Sequence, residues 1–201
     1  TNPLTGLECD TDLSLKRPAS IMVNNIWQSL PQEGISHADI MYECLAEGGI
    51  TRLMMISQEY EKLPQVGSVR SARDYYIDYA QSYDCIFVHA GGSTYAYDTI
   101  EQRNIDNIDG VNGPGSLYEQ TGTFIRDPER LKTYSREHTL MVQSGEGIKN
   151  AAEFLNYRTE KQSSAPAPMN FAKWGEKTVL NDKAKHIRVV MSAYQQVDYV
   201  Y

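Results

Sequence analysis

The sequence predicts an α/β fold, in which a mixed sheet contains a β-hairpin and carries flanking helices. Strand-like apolar runs alternate with helix signals between residues 71 and 157, an order that favours a layered α/β structure. Residues 40–47 and 50–57 are both rich in Ile, Met, Leu and Tyr, and Gly48-Gly49 separates them. A glycine pair between two such runs is a strong hairpin signal, because glycine accepts the positive φ of tight turns.

Composition divides the chain into three parts. Residues 1–158 form the predicted main domain. Residues 159–186 are polar and contain a Ser- and Pro-rich stretch, which is typical of a linker or interdomain loop. Residues 187–201 are strand-like, so we expect them either to open a second, smaller domain or to complete the sheet.

Local patterns place the other elements along the main domain. Residues 104–130 are loop-rich. Ser71 to Asp74 resembles a capping box, Ser93 or Thr94 is expected to cap the second helix, and Ser144 is expected to cap the last one. The expected strands and helices, in chain order, are strand 20–24, helix 72–82, strand 85–88, helix 94–103, helix 128–133, strand 138–142 and helix 144–157.

The hairpin brings the first candidate site together. A two-residue turn would pair Leu45 with Arg52 and Glu43 with Met54, so Glu43, Glu47 and Arg52 would share one face of the sheet. Two neighbouring carboxylates raise the pKa of one of them, which makes Glu43 and Glu47 candidate acid/base residues with Arg52 beside them. The alternative is a salt bridge that only fixes the hairpin.

The second candidate site lies at the start of the first helix. Arg70, Ser71 and Arg73 surround a helix N-terminus, where free N–H groups and the helix dipole favour an anion. Arginine adds a bidentate fork suited to phosphate or carboxylate. The alternative is that Arg73 pairs with Asp74, Asp78 or the hairpin acids.

The third candidate site follows the apolar strand at residues 85–88. His89 precedes Gly91 and Gly92, whose amides would converge on an anion, and Ser93 follows at a strand-to-helix turn. A Gly-x-Ser-x-Gly nucleophile elbow is missing. The alternative has Ser93 as a helix cap and His89 as a hydrogen-bonded wall residue. His138, from the Arg136-Glu137-His138-Thr139 run, is a further candidate ligand-binding residue.

Composition narrows the possible ligands. The net charge of −7 argues against nucleic acid as a partner, because that binding depends on neutralising phosphates with Lys and Arg. The four histidines and three cysteines show no metal-binding spacing, and no phosphate-binding loop or dinucleotide motif is present. We therefore expect neither a metal nor a cofactor. The oxidation state of the cysteines stays open.

A set of motifs in the first 140 residues resembles the YerB-like bacterial lipoproteins, a domain family of unknown function. The motifs are Asn2-Pro3-Leu4-Thr5-Gly6, Arg17-Pro18, Gly34-Ile35, Ala38-Asp39-Ile40, Tyr42-Glu43, Glu47-Gly48-Gly49-Ile50-Thr51-Arg52, Val69-Arg70-Ser71-Ala72-Arg73 and His89-Ala90-Gly91-Gly92-Ser93. Ser68 stands where the family pattern has proline. The resemblance implies a lipid-modified cysteine upstream of residue 1, attachment to the outer face of the cell membrane and a second, smaller domain. It brings no catalytic residues.

The preferred prediction is an extracytoplasmic, membrane-tethered protein that binds an anionic or envelope-derived ligand or a membrane-associated partner protein. Its groove would be formed by Arg52, Arg70, Arg73 and His89, with Glu43 and Glu47 orienting the arginines. The membrane would be reached only through the lipid anchor. One alternative is a hydrolase or transferase acting on envelope glycan or peptide, with Glu43 or Glu47 and His89 as acid and base. Another is a structural cluster of salt bridges in a scaffold protein.

Overall fold

The computed structural model describes residues 1–114, 117–162, 165, 169–172, 176 and 184–200. Its strands are β1 (Ala19–Asn24), β2 (Ile40–Leu45), β3 (Thr51–Ser57), β4 (Val66–Gly67), β5 (Ile86–His89), β6 (Asn107–Asp109), β7 (Phe124–Arg126), β8 (Leu140–Val142), β9 (His186–Val190) and β10 (Gln196–Val200). Its helices are α1 (Asp74–Ser82), α2 (Thr94–Gln102), α3 (Leu117–Thr121) and α4 (Gly145–Phe154).

A five-stranded mixed sheet forms the centre, in the order β2-β3-β1-β5-β6. Strands β1, β5 and β6 are parallel to one another, whereas β3 runs antiparallel to both of its neighbours. Strands β4, β8 and β7 form a smaller antiparallel sheet. The α/β class with a mixed sheet and a hairpin, as predicted from the sequence, is therefore confirmed.

Both faces of the central sheet are covered, which explains the apolar run that predicts β5. Helices α1 and α2 contribute to the core on one face, and α4 with the smaller sheet contributes to the core on the other. Successive strand residues point to opposite faces. Residues buried with α1 and α2 include Met22, Met54, Phe87, Tyr76 and Ile77, and those buried with α4 include Ile21, Met55, Val88, Val142 and Ile148.

The β2–β3 hairpin exists, but its predicted register is wrong. Glu43 pairs with Leu53 and Cys44 pairs with Arg52. The connection is longer than two residues because Glu47–Gly49 forms a 3₁₀ turn, closed by a bond from the Ala46 amide to the Ile50 carbonyl at 2.8 Å. A shift of one residue moves a side chain to the other face of a strand. Glu43 therefore lies on the opposite face from Arg52.

Of the N-terminal caps predicted for α1, α2 and α4, the structure shows those of α2 and α4 but not that of α1. Ser93 accepts a hydrogen bond from the Ala96 amide at the start of α2, and Ser144 accepts one from the Gly147 amide at the start of α4. These two predictions are confirmed. The capping box at α1 is wrong, because Arg73 occupies the N-cap position and no side chain caps that helix.

The predicted loop between residues 104 and 130 holds more structure than expected, since β6, α3 and β7 lie there. The helix expected at 128–133 is a single 3₁₀ turn, Arg130–Lys132. The strand expected from residue 138 begins at Leu140, because Arg136–His138 forms another 3₁₀ turn. Strands of two or three residues carry too little periodicity to be seen in a sequence.

Strands β9 and β10 pair with each other and with neither of the other sheets. The expectation that this segment completes the main sheet is therefore wrong, and a second domain stays a prediction. The turn between the two strands touches the β2–β3 connection, where Ser192 Oγ donates to the Gly49 carbonyl at 2.5 Å. Much of the predicted 159–186 linker lies outside the described residues.

Candidate functional site

The carboxyl ends of the parallel strands meet at one edge of the central sheet. Strand β1 ends at Asn24, β5 at His89 and β6 at Asp109. In open α/β sheets, ligands bind in the crevice outside the carboxyl ends of the strands, at the point where the strand order reverses. Each of the predicted site segments reaches this region.

The segment before α1 is inserted between β1 and β5 at that edge. The Arg70 amide donates to the Met22 carbonyl at 2.9 Å, and the Ala90 amide donates to the Arg70 carbonyl at 3.0 Å. Two residues later, the Ala72 amide donates to the Gly91 carbonyl at 2.8 Å. The backbone of Arg70 is thus held by hydrogen bonds from both sides.

Arg70 lines a cavity of about 290 Å³ that we call the arginine cavity. Its walls combine three arginines, one acid and three apolar residues: Arg70, Arg126, Arg136, Glu137, Ala90, Val111 and Leu140. Arg126 also donates to the Arg136 carbonyl. Arg70 is partly buried as a residue, and its guanidinium makes no hydrogen bond or ion pair with any described residue. It is available to a ligand.

His138 lies next to this cavity and is almost fully buried. Its Nδ1 lies 3.2 Å from the side-chain Nδ2 of Asn24, and its Nε2 lies 3.3 Å from a carboxylate oxygen of Glu137. Burial and the charge of Arg70 lower the pKa of His138. The ring is therefore neutral at neutral pH, and its Nδ1 accepts a hydrogen bond from the side-chain Nδ2 of Asn24.

Arg52 and Arg73 belong to a separate group, which we call the Glu47 cluster. Arg52 is 4% exposed, and its Nη1 donates to the Ser71 carbonyl at 2.7 Å. Glu47 lies 3.6 Å from Arg52 Nη2 and forms a hydrogen-bonded ion pair with Arg73. Burial lowers the pKa of Arg52 to about 10, and the bond from Arg73 lowers the pKa of Glu47 to about 2. Both arginines already have an internal acid as partner.

Glu43 does not take the role predicted for it. It accepts hydrogen bonds from Thr51 Oγ1 at 2.6 Å, Asn25 Nδ2 at 3.2 Å and Gln195 Nε2 at 3.1 Å. None of its described partners is an arginine. The predicted arrangement of Glu43, Glu47 and Arg52 on one face is therefore wrong, and only Glu47 orients arginines.

His89 is fully buried and faces no groove, contrary to the prediction. Its Nδ1 lies 2.8 Å from the Gly91 carbonyl oxygen, and its Nε2 lies 3.0 Å from Asn107 Oδ1. The nearest carboxylate is that of Asp109, at 3.9 Å. This is the wall residue of the alternative interpretation, and the acid/base pairing with Glu43 or Glu47 has no support in its contacts.

The Gly91 amide in the glycine turn after β5, predicted to bind an anion, is already hydrogen-bonded to a carboxylate of the same chain. Asp109 Oδ1 accepts from the Gly91 amide at 2.8 Å, and Gly91 has the expected positive φ of 74°. A Cβ at Gly92 would lie 3.2 Å from the Tyr97 ring and 3.5 Å from the Ala72 Cβ, so the backbone there passes close to both residues. Ser93 uses its hydroxyl to cap α2, so the interpretation of Ser93 as a nucleophile loses its basis.

Asp109, Arg126 and Arg136 are among the residues of this region that were missing from the predicted site. Asp109 ends a strand of three residues within an apparent loop, so no sequence pattern marks it. Arg126 comes from β7 and Arg136 from the 3₁₀ turn Arg136–His138, and only the fold brings them to Arg70. The Arg136-Glu137-His138 run was the one available signal.

Two absences concern the described part of the chain. No group of three or more His, Cys, Asp or Glu residues within it could hold a metal ion. No helix in the same ranges is long and apolar enough to cross a membrane.

Comparison with known proteins identifies the family. A family described as "Protein of unknown function (DUF3048) N-terminal domain" matches residues 4–158. The chain belongs to this DUF3048 family. It is 37% identical over 163 residues to a protein of Bacillus subtilis (strain 168) named "Putative lipoprotein YerB". The aligned region covers 81% of this chain and 45% of that protein, so the chain spans about half the length of this curated relative.

A solved structure shares the DUF3048 fold. The crystal structure of the YerB protein from Bacillus subtilis superposes with a TM-score of 0.77 at 32% sequence identity. The superposition covers 99% of this chain and 62% of that one. The resemblance stated from the sequence motifs is thus confirmed.

Proposed function

We propose that this protein is an extracytoplasmic, membrane-anchored lipoprotein whose DUF3048 domain binds a small, envelope-derived anion in the arginine cavity. The observation that carries the proposal is the guanidinium of Arg70, which has no partner among the described residues although the protein carries a net charge of −7. A protein with an excess of acids has ample means to neutralise an arginine that serves only the fold.

The Glu47 cluster supplies the internal comparison. Arginines with a purely structural role would form ion pairs with acidic side chains, as Arg52 and Arg73 do with Glu47. Arg70 comes from the same segment of chain yet faces the arginine cavity. This contrast supports ligand binding at Arg70 and a structural role for the other two arginines.

Replacing Arg70 with glutamine should weaken the binding of sulfate or inorganic phosphate about tenfold to a hundredfold, because hydrogen bonds to charged groups contribute about 1.5–3 kcal/mol. Isothermal titration calorimetry at low ionic strength would measure this effect. The melting temperature should stay close to that of the unsubstituted protein, because Arg70 makes no internal bond through its guanidinium.

Arg103→Gln is the matched control. Arg103 follows α2 and pairs with Asp78 at the surface, so the substitution changes the net charge equally without touching the arginine cavity. Its affinity for the anions should change less than twofold, on the order of the effect of an exposed ion pair. Equal affinities of the Arg70 and Arg103 variants would refute the proposal.

The proposed lipid anchor has its own test. The relative's name contains the word lipoprotein, and membrane attachment through lipid needs a modified cysteine preceding residue 1. The full-length protein in its own cells should incorporate a labelled fatty acid and be cleaved by protease added outside intact cells. The 201-residue chain alone, which retains Cys9, Cys44 and Cys85, should remain unlabelled. Absence of label from the full-length protein would contradict the anchor.

A further inference from the structure

We infer that the anion of the arginine cavity is the acidic group of a sugar, whose ring covers an exposed aromatic pair formed by Trp27 and Tyr134. This inference rests on the proposed function, because it names the class of molecule that would present the anion to Arg70. The aromatic pair lies between two chain segments that meet beside the cavity.

The segment that follows β1 lies alongside the segment that leads into β8. Nδ2 of Asn24, at the end of β1, lies 3.2 Å from Nδ1 of His138. At the other end of this contact, Arg130 donates to the Pro31 carbonyl. One segment advances along the chain while the other goes back, so the two run antiparallel to each other.

The aromatic pair lies between these two contacts. The rings of Trp27 and Tyr134 meet edge to face, with 6.1 Å between their centroids. Trp27 is 70% exposed, and Leu30 and Leu131, from the same two segments, are exposed as well. Contiguous exposed apolar side chains mark interaction sites. Aromatic side chains suit such a site, because they offer a large contact area at a small cost in conformational entropy.

The aromatic pair adjoins the arginine cavity. Tyr134 stands two residues before Arg136, which lines the cavity, so their Cα atoms are at most about 7.6 Å apart. The guanidinium of Arg136, like that of Arg70, makes no bond to a described residue. Glu137 also lines the cavity, but its carboxylate lies beside His138 and forms no ion pair with either of these arginines. Charge complementarity therefore favours an acidic group on the part of the occupant that enters the cavity.

A sugar acid combines the groups that this surface can bind. The face of a pyranose ring carries C–H groups that pack on an aromatic ring, and hydroxyl groups surround it. The Tyr134 hydroxyl is not buried and makes no bond to a described residue, so it can bond to a sugar hydroxyl. An acidic substituent on the sugar matches the planar fork of an arginine such as Arg70.

A second copy of this chain fits the aromatic pair less well. A two-fold contact brings the same patch of both copies together. Such a contact centred on Trp27 and Tyr134 would place Arg136 of one copy near Arg136 of the other, and the like charges would repel each other. An acidic sugar meets the same arginines with the opposite charge.

Three probes would test the inference by calorimetry at equal, low ionic strength: a disaccharide of glucuronic acid and N-acetylglucosamine, the neutral disaccharide N,N′-diacetylchitobiose, and acetate. The acidic disaccharide should bind about tenfold more tightly than either of the others, because it alone engages both Arg70 and Trp27. Replacing Trp27 with alanine should weaken its binding about three- to tenfold and leave acetate binding unchanged. Arg70→Gln should weaken the binding of both anions.

Tyr95→Ala is the matched control. Tyr95 is 75% exposed and belongs to α2, which packs on the opposite face of the central sheet from the smaller sheet. Its replacement should leave the affinity for the acidic disaccharide unchanged. Trp174→Phe makes Trp27 the sole tryptophan of the chain. In that variant, the tryptophan emission should change on titration with the acidic disaccharide and stay constant with acetate.

The outcomes separate the inference from the function on which it rests. If the acidic disaccharide binds no more tightly than acetate, and Arg70→Gln weakens both, then the anion site stands and the sugar inference is wrong. If no anion binds in a way that depends on Arg70, then the proposed function itself fails. Tighter binding of the acidic disaccharide that depends on both Arg70 and Trp27 supports both.

Two further measurements address the other possible occupants of the aromatic pair. Sedimentation of the ligand-free protein would detect self-association, and flotation with anionic lipid vesicles would detect membrane contact. If Trp27→Ala abolishes either of these while the affinity for the acidic disaccharide stays the same, then Trp27 serves a second copy or a lipid surface, and the sugar inference is overturned.

Discussion

Replacing Arg17 with methionine should lower the free energy of unfolding by about 3–5 kcal/mol, the usual cost of removing one partner from a buried ion pair. Arg17 is 4% exposed, and its guanidinium donates to the carbonyl oxygens of Asp84 at 2.6 Å and Cys85 at 3.2 Å. It also pairs with Asp106 and reaches the Arg158 carbonyl at 3.3 Å. Methionine retains the apolar stem but leaves these acceptors without a donor.

Urea unfolding followed by circular dichroism would measure the loss for Arg17→Met. For a protein of this size, 3–5 kcal/mol corresponds to a fall in melting temperature of about 10 °C. Arg103→Met is the control, because its exposed pair with Asp78 is worth about 0–1 kcal/mol. Similar stabilities of the two variants would show that the Arg17 contacts contribute little.

Replacing Asp109 with alanine should lower the free energy of unfolding by about 3 kcal/mol, because a buried carboxylate with several donors is lost. Its Oδ1 accepts from the amides of Gly91 at 2.8 Å and Val111 at 2.9 Å, and its Oδ2 accepts from the Tyr97 hydroxyl at 2.6 Å. Val111 lines the arginine cavity, so the substitution should also weaken sulfate binding. Thermal unfolding and calorimetry would measure the two effects.

Asp109→Asn separates hydrogen bonding from charge. Asparagine keeps an oxygen for the two amides, so its cost should be about half that of alanine, on the order of 1–2 kcal/mol. Burial alone would raise the pKa of Asp109, but its electrostatic interaction with His89 and the hydrogen bonds that it accepts hold this pKa below its ordinary value of 3.8.

A lowered folded-state pKa gives this effect a definite pH dependence. The stabilisation by ionised Asp109 is present above the ordinary value of 3.8 and is lost as the pH falls through the folded-state pKa. The stability difference between the unsubstituted protein and Asp109→Asn should therefore shrink as the solution is acidified below that value. A difference that stays constant down to the acid transition would rule out the charge contribution.

Signals that are local in the chain predicted local structure well. Ser93 and Ser144 cap α2 and α4 because a serine before an apolar-periodic stretch satisfies free helix amides. The covered strand β5 was visible as a continuous apolar run. The hairpin register was not predictable from Gly48-Gly49, since both glycines adopt positive φ in a longer connection than the assumed two-residue turn.

The candidate site depends on contacts between distant segments, which local sequence patterns predict less well. Arg52, Arg70 and Arg73 were expected to share a groove. In the structure, Arg52 and Arg73 form ion pairs with Glu47, whereas Arg70 lines a cavity with Arg126 and Arg136, which are more than fifty positions away in the chain. Neighbouring residues in an extended segment point in opposite directions. Which neighbour meets which acid is decided by the packing of the sheets, and no motif encodes it.

The insertion of the Arg70 segment between β1 and β5 has a consequence for how tightly a ligand can bind. Because the Arg70 amide and carbonyl are both bonded within the sheet, the main chain there has little freedom left to lose on complex formation. Only the side-chain torsions of Arg70 would need to be ordered. With such a rigid support, little of the interaction free energy of even a small ligand is offset by the entropic cost of ordering the protein.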